Sequence, residues 1–395
     1  MRHTPEIQSP ARTRARPAPT RPARTGGRAL VWDSQNTSSI LVARALRQRG
    51  WTVDWIGPSA SPWRASEVFD GERTVLVGSH DETLERVLWQ HPLDALFLHG
   101  DDQVRWLLAR WAHVPERIRR HLPEAESLQI ALSKDRSMQL ARTLGVPVLE
   151  TERCTSAAAV AEASRRLAGR GEVVLKGEGG SAGSAVRALP VGRAPGREAW
   201  KAVTGHAPVI LVQRRLRGPR VMVTVAYERG VERAAVAHEK IAAFPFDFGP
   251  TAFGVTRHVE EVHDHAQRMY GALRWHGVSN IEFRQDLTDG RWYFMEINPR
   301  VNCSLGIQER AGVDVGAARA AVCEGRGAEE APGRGYRDGV PYAWAVRGLA
   351  LALRRPWSLP SWGLRCLFSE NSDLSLLDAP LRRQALRHAV WLARH

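Results

Sequence analysis

Two carboxylates and a carboxamide near residue 290 offer the clearest chemistry in this sequence. The segments Asn280 to Leu287 and Arg291 to Ile297 read as strands, and Thr288-Asp289-Gly290 between them predicts a three-residue hairpin loop with Gly290 in the left-handed position. Leu287 then lies opposite Arg291, and the same register sets Glu282 opposite Glu296. Carboxylates that face each other on one side of a sheet, with Cβ atoms about 5 Å apart, repel unless a cation sits between them. Asn298 projects to the side of Glu296, because strand side chains alternate with period two. Three hard oxygen donors on one patch suit magnesium, which prefers carboxylates plus substrate phosphates to a closed protein cage; manganese is the alternative ion. A solvated edge hairpin is the bland reading, and Ile281, Phe283, Tyr293 and Phe294 count against it by making the hairpin core-like. Pro299 ends the second strand, and Arg300 follows at its mouth.

A second constellation is rich in glycine. Glu172 to Leu175 reads as a strand ending at Lys176, and 177–184, with Gly177, Gly179, Gly180, Ser181 and Gly183, leads to a further strand at Ala185 to Ala188. Without Cβ atoms, such a loop lets backbone N–H groups approach phosphate oxygens closely. It is not a Walker loop, because the lysine precedes the glycines and GxxxxGK[ST] is absent. A flexible hairpin with no ligand is the competing reading.

Lysine itself is informative here. Only Lys134, Lys176, Lys201 and Lys240 stand among 56 basic residues, so arginine is the default cation of this chain. Where a compact ammonium appears instead, a point charge for phosphate oxygens is one reason for it. Lys134 falls in the first turn of a helix that opens at Ser133 and stops at Leu144, Gly145 and Pro147. A cation there opposes the helix dipole, so either Asp135 or a nucleotide phosphate must answer it. Lys240 comes just after an apolar run, Ala234 to Ala237, and before the aromatic loop Phe244 to Pro250, which suits either a substrate wall or a core contact. Lys201 lies in a polar segment and carries no expectation.

The elements that must position these groups follow from the rest of the 395 residues. Ala29 to Asp33, Trp51 to Ile56, Thr74 to Val77 and Ala95 to His99 are short apolar runs with helical patterns between them, implying a small parallel sheet covered on both faces. No GxGxxG follows the first of them, which argues against a dinucleotide site, and Asp101 and Asp102 read as helix N-terminal acids. Val209 to Gln213 and Val221 to Ala226 are further strands around Arg217-Gly218-Pro219. Composition is that of a globular enzyme-sized chain, 43% hydrophobic and 25% charged, with formal charge +14. Residues 1–27 hold six arginines against Glu6 and read as a disordered arm or a transit peptide. The remaining arginines are spread evenly without interleaved aromatics, which disfavours nucleic acid. No apolar run of membrane-spanning length occurs, so a cytoplasmic location is expected. Cys154, Cys303, Cys323 and Cys366 lack metal-site spacing and are expected to be reduced, buried and inert.

Together these motifs resemble the ATP-grasp superfamily from about Arg28 to Gly325. Met295-Glu296-Ile297-Asn298-Pro299-Arg300 with Glu282 resembles the family's magnesium ligands and catalytic arginine and is the most specific match. Ala311-Gly312-Val313-Asp314-Val315 also fits the tail of that motif. Lys134 and Lys176 resemble the two nucleotide lysines, and the glycine loop resembles the phosphate lid. Val209 to Leu216, with Gln213, Arg214 and Leu216, resembles the hinge strand that meets adenine. The first domain is similar to the pre-ATP-grasp domain of biotin carboxylase and the carbamoyl-phosphate synthase large subunit. The resemblance implies an α/β and α+β ATP-grasp fold: a tail (1–27), a Rossmann-like pre-ATP-grasp domain (28–125), a small lid subdomain (126–205), a large subdomain with the metal site (206–325) and a helical C-terminal extension (326–395). One departure is that Arg220, Met222 and Thr224 stand where many members place an acidic residue for ribose or metal.

The expected activity is that of an ADP-forming ligase joining a small carboxylic acid to an amine through an acyl phosphate. Mg-ATP would be held as above, with Arg300 and Lys240 in catalytic roles. A phosphotransferase that makes no amide is one competitor; a non-catalytic nucleotide sensor or a polyanion binder is another. The segment Tyr342 to His395 is expected either to cap the active site or to carry a homodimer interface.

Overall fold

The computed structural model describes residues 26–76, 81–167, 172–177, 183, 185–190, 192–205, 209–245 and 247–394. Among them the chain builds three sheets. The first is parallel, in the order β3-β2-β1-β4, from β1 (Arg28–Trp32), β2 (Thr52–Pro58), β3 (Arg73–Leu76) and β4 (Ala95–Leu98). Its central strands are apolar at almost every position because both faces are covered. Leu30, Trp32, Leu96 and Leu98 enter one core, while Ala29, Val31, Ala95 and Phe97 enter another on the opposite face.

The second sheet is antiparallel, in the order β5-β8-β6-β7, from β5 (Thr151–Cys154), β6 (Val173–Gly177), β7 (Val186–Leu189) and β8 (Ile210–Arg214). Alternation divides its residues cleanly. Val173 and Leu175 pack with Val160, Val203 and Val212 under the helices Ala157–Arg166 and Arg197–Thr204, and Val174 and Lys176 turn to the other side. β8 pairs with β5 on one side and β6 on the other, so strands from both sides of residues 205 and 206 share this sheet.

The third sheet has six strands, ordered β13-β12-β9-β10-β11-β14, from β9 (Arg220–Glu228), β10 (Val231–Ala243), β11 (Thr251–Thr256), β12 (Gly277–Gln285), β13 (Trp292–Asn298) and β14 (Pro341–Ala343). Val221, Val223, Val225 and Tyr227 of β9 pack on Val262, Ala266, Met269 and Tyr270 of the helix Glu260–Ala272. β10 is far longer than its apolar centre suggests, so Lys240 lies inside a strand, paired with Gly254, and not in a loop after one.

The segment after residue 325 is mostly helical, as the expected helical extension would be, and it also gives β14 to the large sheet. Asp373 joins its helices to the first domain: its carboxylate accepts from the Ala345 backbone N–H at 2.5 Å and from the Thr37 hydroxyl at 2.9 Å. None of its described residues lines the cleft discussed below. All four cysteines are free; Cys154 and Cys366 are buried, whereas Cys303 and Cys323 are only partly so, against expectation. No described helix is long and apolar enough to cross a membrane.

Candidate functional site

The hairpin β12–β13 sets Glu282 opposite Glu296, Ile281 opposite Ile297 and Asn280 opposite Asn298. The route to that register differs from the sequence argument. The turn is one residue longer, with Asp286 and Arg291 closing it through the Asp286 N–H to the Arg291 carbonyl at 3.0 Å. The pairs next to the turn, Gln285 with Trp292 and Arg284 with Tyr293, are therefore one residue out of the expected step. A bulge at Met295, facing the Glu282–Phe283 step, restores it. Two errors of one residue cancel, and the acidic pair stands.

Glu282, Glu296 and Asn298 face a cleft between the second and third sheets. Lys134, Lys176, Gly183, Gln213, Arg214 and Leu216 line the same cleft. Gly179, Gly180 and Ser181 lie outside the described residues. Gly183 has φ +76°, and a Cβ there would stand 2.3 Å from the Phe248 carbonyl oxygen, so Gly183 meets the aromatic loop without room for a side chain. Phe248 lines the cleft, whereas Phe244 is buried in the core with Phe253 and Leu367, so the loop gives one ring to each.

Lys134 occupies the first turn of the helix Lys134–Thr143, whose N-cap Ser133 accepts from the Arg136 N–H at 3.2 Å. The anion next to it in sequence is engaged elsewhere: Asp135 pairs with Arg153 at 2.5 Å. Lys176 is pushed down to about 8 by burial, partly opposed by Glu296 and reinforced by Lys134. Gln213 is buried, its amide nitrogen donating to the Thr151 hydroxyl at 2.7 Å, and its carbonyl oxygen makes no hydrogen bond. Arg214 pairs with Asp286 at 2.7 Å.

Two candidates stand one contact behind the cleft surface. Lys240 Nζ lies 2.8 Å from Glu282 Oε2, both side chains buried. Burial alone would raise the Glu282 carboxyl, but Lys240, then Arg220 and Lys176, outweigh it and hold it down to about 2. Arg300 Nη2 donates to Asn298 Oδ1 at 3.2 Å and its Nε to Asp101 Oδ1 at 2.7 Å. Asn298 Nδ2 in turn reaches Asn280 Oδ1 at 3.1 Å and Glu296 Oε1 at 3.4 Å. Asp101 is thus more than a helix N-terminal acid: it brings the first domain to the cleft and anchors the arginine.

A feature that sequence reasoning missed lies beside the acidic pair. Arg284 on β12 pairs directly with Arg220 on β9, and both line the cleft. Burial, then Arg220, pushes the Arg284 guanidinium down to about 10. Like charges opposed across strands repel, as the glutamates do. One sheet face therefore carries an acidic pair that favours a cation next to a basic pair that favours an anion. Arg284 shares the side of Glu282 by simple alternation, a signal available in the sequence; its pairing with Arg220, more than sixty residues away, was not.

The donor set fits a hard divalent cation: two carboxylates and one carboxamide oxygen on adjacent strands. No group of three or more His, Cys, Asp or Glu side chains able to hold a metal occurs among the described residues, so a cation here would complete its shell with Asn298 and non-protein oxygens.

A family model described as ATP-grasp in the biosynthetic pathway with Ter operon matches residues 206–341. Among solved structures, the chain is similar to biotin carboxylase from Campylobacter jejuni in complex with βγ-ATP (TM-score 0.61, 18% identity, 75% of this chain and 71% of that one). It is also similar to the biotin carboxylase domain dimer of 2-oxoglutarate carboxylase from Hydrogenobacter thermophilus with MgADP, ADP and bicarbonate (0.61, 14%, 75% and 69%). A third is L-amino acid ligase from Bacillus licheniformis (0.56, 14%, 76% and 75%). No curated protein matches the sequence.

Proposed function

The chain is an ATP-grasp protein by fold, and from that premise we propose that it is an ADP-forming ligase that activates a small carboxylic acid with ATP and passes the acyl group to an amine or similar nucleophile. The observation that carries this reading is the juxtaposition of the Glu282–Glu296 pair with the Arg220–Arg284 pair on one cleft-facing sheet surface. A cation beside a polyanion answers both repulsions, and a metal-bound triphosphate is such a ligand.

In this reading Glu282, Glu296 and Asn298 would hold magnesium, which when bound would neutralise negative charge on the triphosphate. Lys134, Lys176, Arg220 and Arg284 supply positive charge to the remaining phosphate oxygens. Gln213 has an unpaired carbonyl oxygen near the hinge Arg214–Leu216, able to accept from an adenine amino group. The acid attacks the γ-phosphorus, giving an acyl phosphate and ADP, and the nucleophile then displaces phosphate. Arg300, held by Asp101 and Asn298, is set to stabilise the oxyanion of each transfer. Lys240 acts through Glu282: it keeps that carboxylate ionised and in place, and so is a positioning residue. The glycine segment and Phe248 would exclude water that hydrolyses acyl phosphates.

The test is product analysis. Purified protein with Mg-ATP and panels of acids and amines should release ADP and phosphate in a ratio near one per bond formed, and only slowly when either substrate is omitted. AMP and pyrophosphate as the main products would overturn the mechanism. Phosphate transfer to one substrate without amide formation would instead favour a phosphotransferase.

A further inference from the structure

At the opposite end of β9 from Arg220, about 30 Å away at about 3.3 Å per residue, a second depression gathers Arg119, Arg120, Arg229 and Arg274 around His276. Glu116 and Glu124 are the acids that line it. Glu116 pairs with Arg119 at 3.0 Å, which leaves guanidinium in excess. Arg119 Nε is buried without a hydrogen bond, and no hydrogen bond of ordinary geometry reaches either ring nitrogen of the buried His276, although the Arg120 carbonyl lies close enough to influence it.

Backbone conformation gives an independent indication. Arg229 has φ +49° and Arg274 has φ +45°. Arg229 with Gly230 forms the two-residue turn between β9 and β10, where Glu228 pairs with Val231, and such turns ordinarily take Asn-Gly or Asp-Gly. Arg274 follows the helix Glu260–Ala272 at the position that ends a Schellman motif, with Trp275 N–H donating to the Tyr270 carbonyl at 3.0 Å, and glycine is the usual residue there. The two turns touch, because Gly230 N–H donates to the Trp275 carbonyl at 2.8 Å. Left-handed backbone costs an ordinary residue about 1 kcal/mol, and twice in adjacent turns this chain places an arginine where glycine would relieve it. Both arginines line the same depression.

We propose that this depression binds a phosphate group, as the free anion or a small phosphate ester. Planar guanidinium forks match the oxygens of a phosphate dianion in charge and geometry. His276 and Leu122 also line an adjoining cavity that extends to Arg300 and Pro299, with the buried Arg319 on its wall. The site therefore stands one cavity away from Arg300, in a place where free phosphate or a phosphorylated metabolite can be sensed. The assignment does not depend on the ligase reading.

The experiment titrates inorganic phosphate and, separately, glycerol 3-phosphate into the protein saturated with Mg-ADP, by calorimetry in phosphate-free buffer, with sodium chloride at matched ionic strength as control. The parent should bind at least one of the two, and the tighter arm identifies the source. In the double variant Arg229→Gly, Arg274→Gly, affinity should fall about tenfold or more for each guanidinium removed, since each tenfold is a modest share of a charge-assisted bond. Its melting temperature without anion should hold or rise, because glycine takes the left-handed backbone freely, and Mg-ADP binding should be unchanged. The proposal is overturned if neither probe binds the parent, if chloride produces the same response, or if the double variant binds with the parent's affinity.

Discussion

The cleft and the arginine depression both concentrate positive charge, but they hold it differently. In the cleft Lys176, Arg220, Glu282, Arg284 and Glu296 stand on paired strands, and ion pairs in it or directly behind it hold Lys240 to Glu282, Arg214 to Asp286 and Arg300 to Asp101. In the depression Arg229 and Arg274 come from turns, where backbone geometry is the notable feature and opposing acids are few. A charge on a strand is oriented by its ladder; a charge on a turn is oriented only where the turn itself is specified. The first arrangement suits chemistry that needs atoms placed precisely to a few tenths of an ångström, the second suits recognition of a charge.

The sharpest way to break the comparison is Glu296→Gln. It removes half of the acidic pair without changing volume, and ATP turnover should fall by at least about a thousandfold, on the order of 4 kcal/mol of transition-state stabilisation. The fold should persist, so thermal melting without ligand stays near that of the parent. Turnover at the parent rate would refute the metal role of the pair.

Lys240→Met tests how far the cleft depends on its pairings. It strands the Glu282 carboxylate in a buried site, a change that costs about 3–5 kcal/mol when one partner of a buried pair is lost. Magnesium with ATP should restore much of that, since the bound cation then answers Glu282. Equal melting losses with and without Mg-ATP would show that Lys240 is structural alone.

Lys176→Ala addresses one phosphate contact. Mg-ATP at 100 times its dissociation constant raises stability by about 2.7 kcal/mol, and the variant should show a smaller rise at the same concentration. The sign of the pH effect follows from the depressed ammonium. Lys176 sheds its proton as pH rises through about 8, so the parent's ATP affinity should decline above that value, and ATP binding near pH 8.5 should take up protons by drawing the ammonium back. A variant with the parent's decline in affinity would remove Lys176 as its cause. Lys201→Ala, on an exposed helical position outside the cleft, should match the parent in every assay.

The smallest effect is expected from Arg229→Gly alone, in buffer without phosphate. Relief of left-handed backbone should raise stability by up to about 1 kcal/mol, read as a shift of a few degrees or less in melting temperature. A clear loss would mean that the arginine side chain supports the turn and that its geometry signals packing.

Much of the cleft was legible because its residues announce themselves by type. Lysine is rare enough in this chain that Lys134 and Lys176 stand out, and both line the cleft. Glu282, Glu296 and Asn298 followed from period-two alternation across one short hairpin, although a turn one residue longer and a bulge at Met295 each displaced the register and cancelled. Helix limits around Ser133 and Gly145 followed from capping chemistry. Non-local pairing was not legible. The membership of β8 in the small sheet, the addition of β14 to the large one and the Asp101–Arg300 contact all depend on segments distant in sequence.

The sequence by itself determined which local elements form and which of their faces carry chemistry, because alternation, glycine placement and caps act over a few residues. Only the tertiary structure decided that Arg220 opposes Arg284, that Lys240 reaches Glu282 across the sheet, and that Arg229 and Arg274 meet at one depression. Each of those depends on strand order and on contact between separate turns, and these are selected by how the buried faces of the whole chain pack together, a condition that no local window contains.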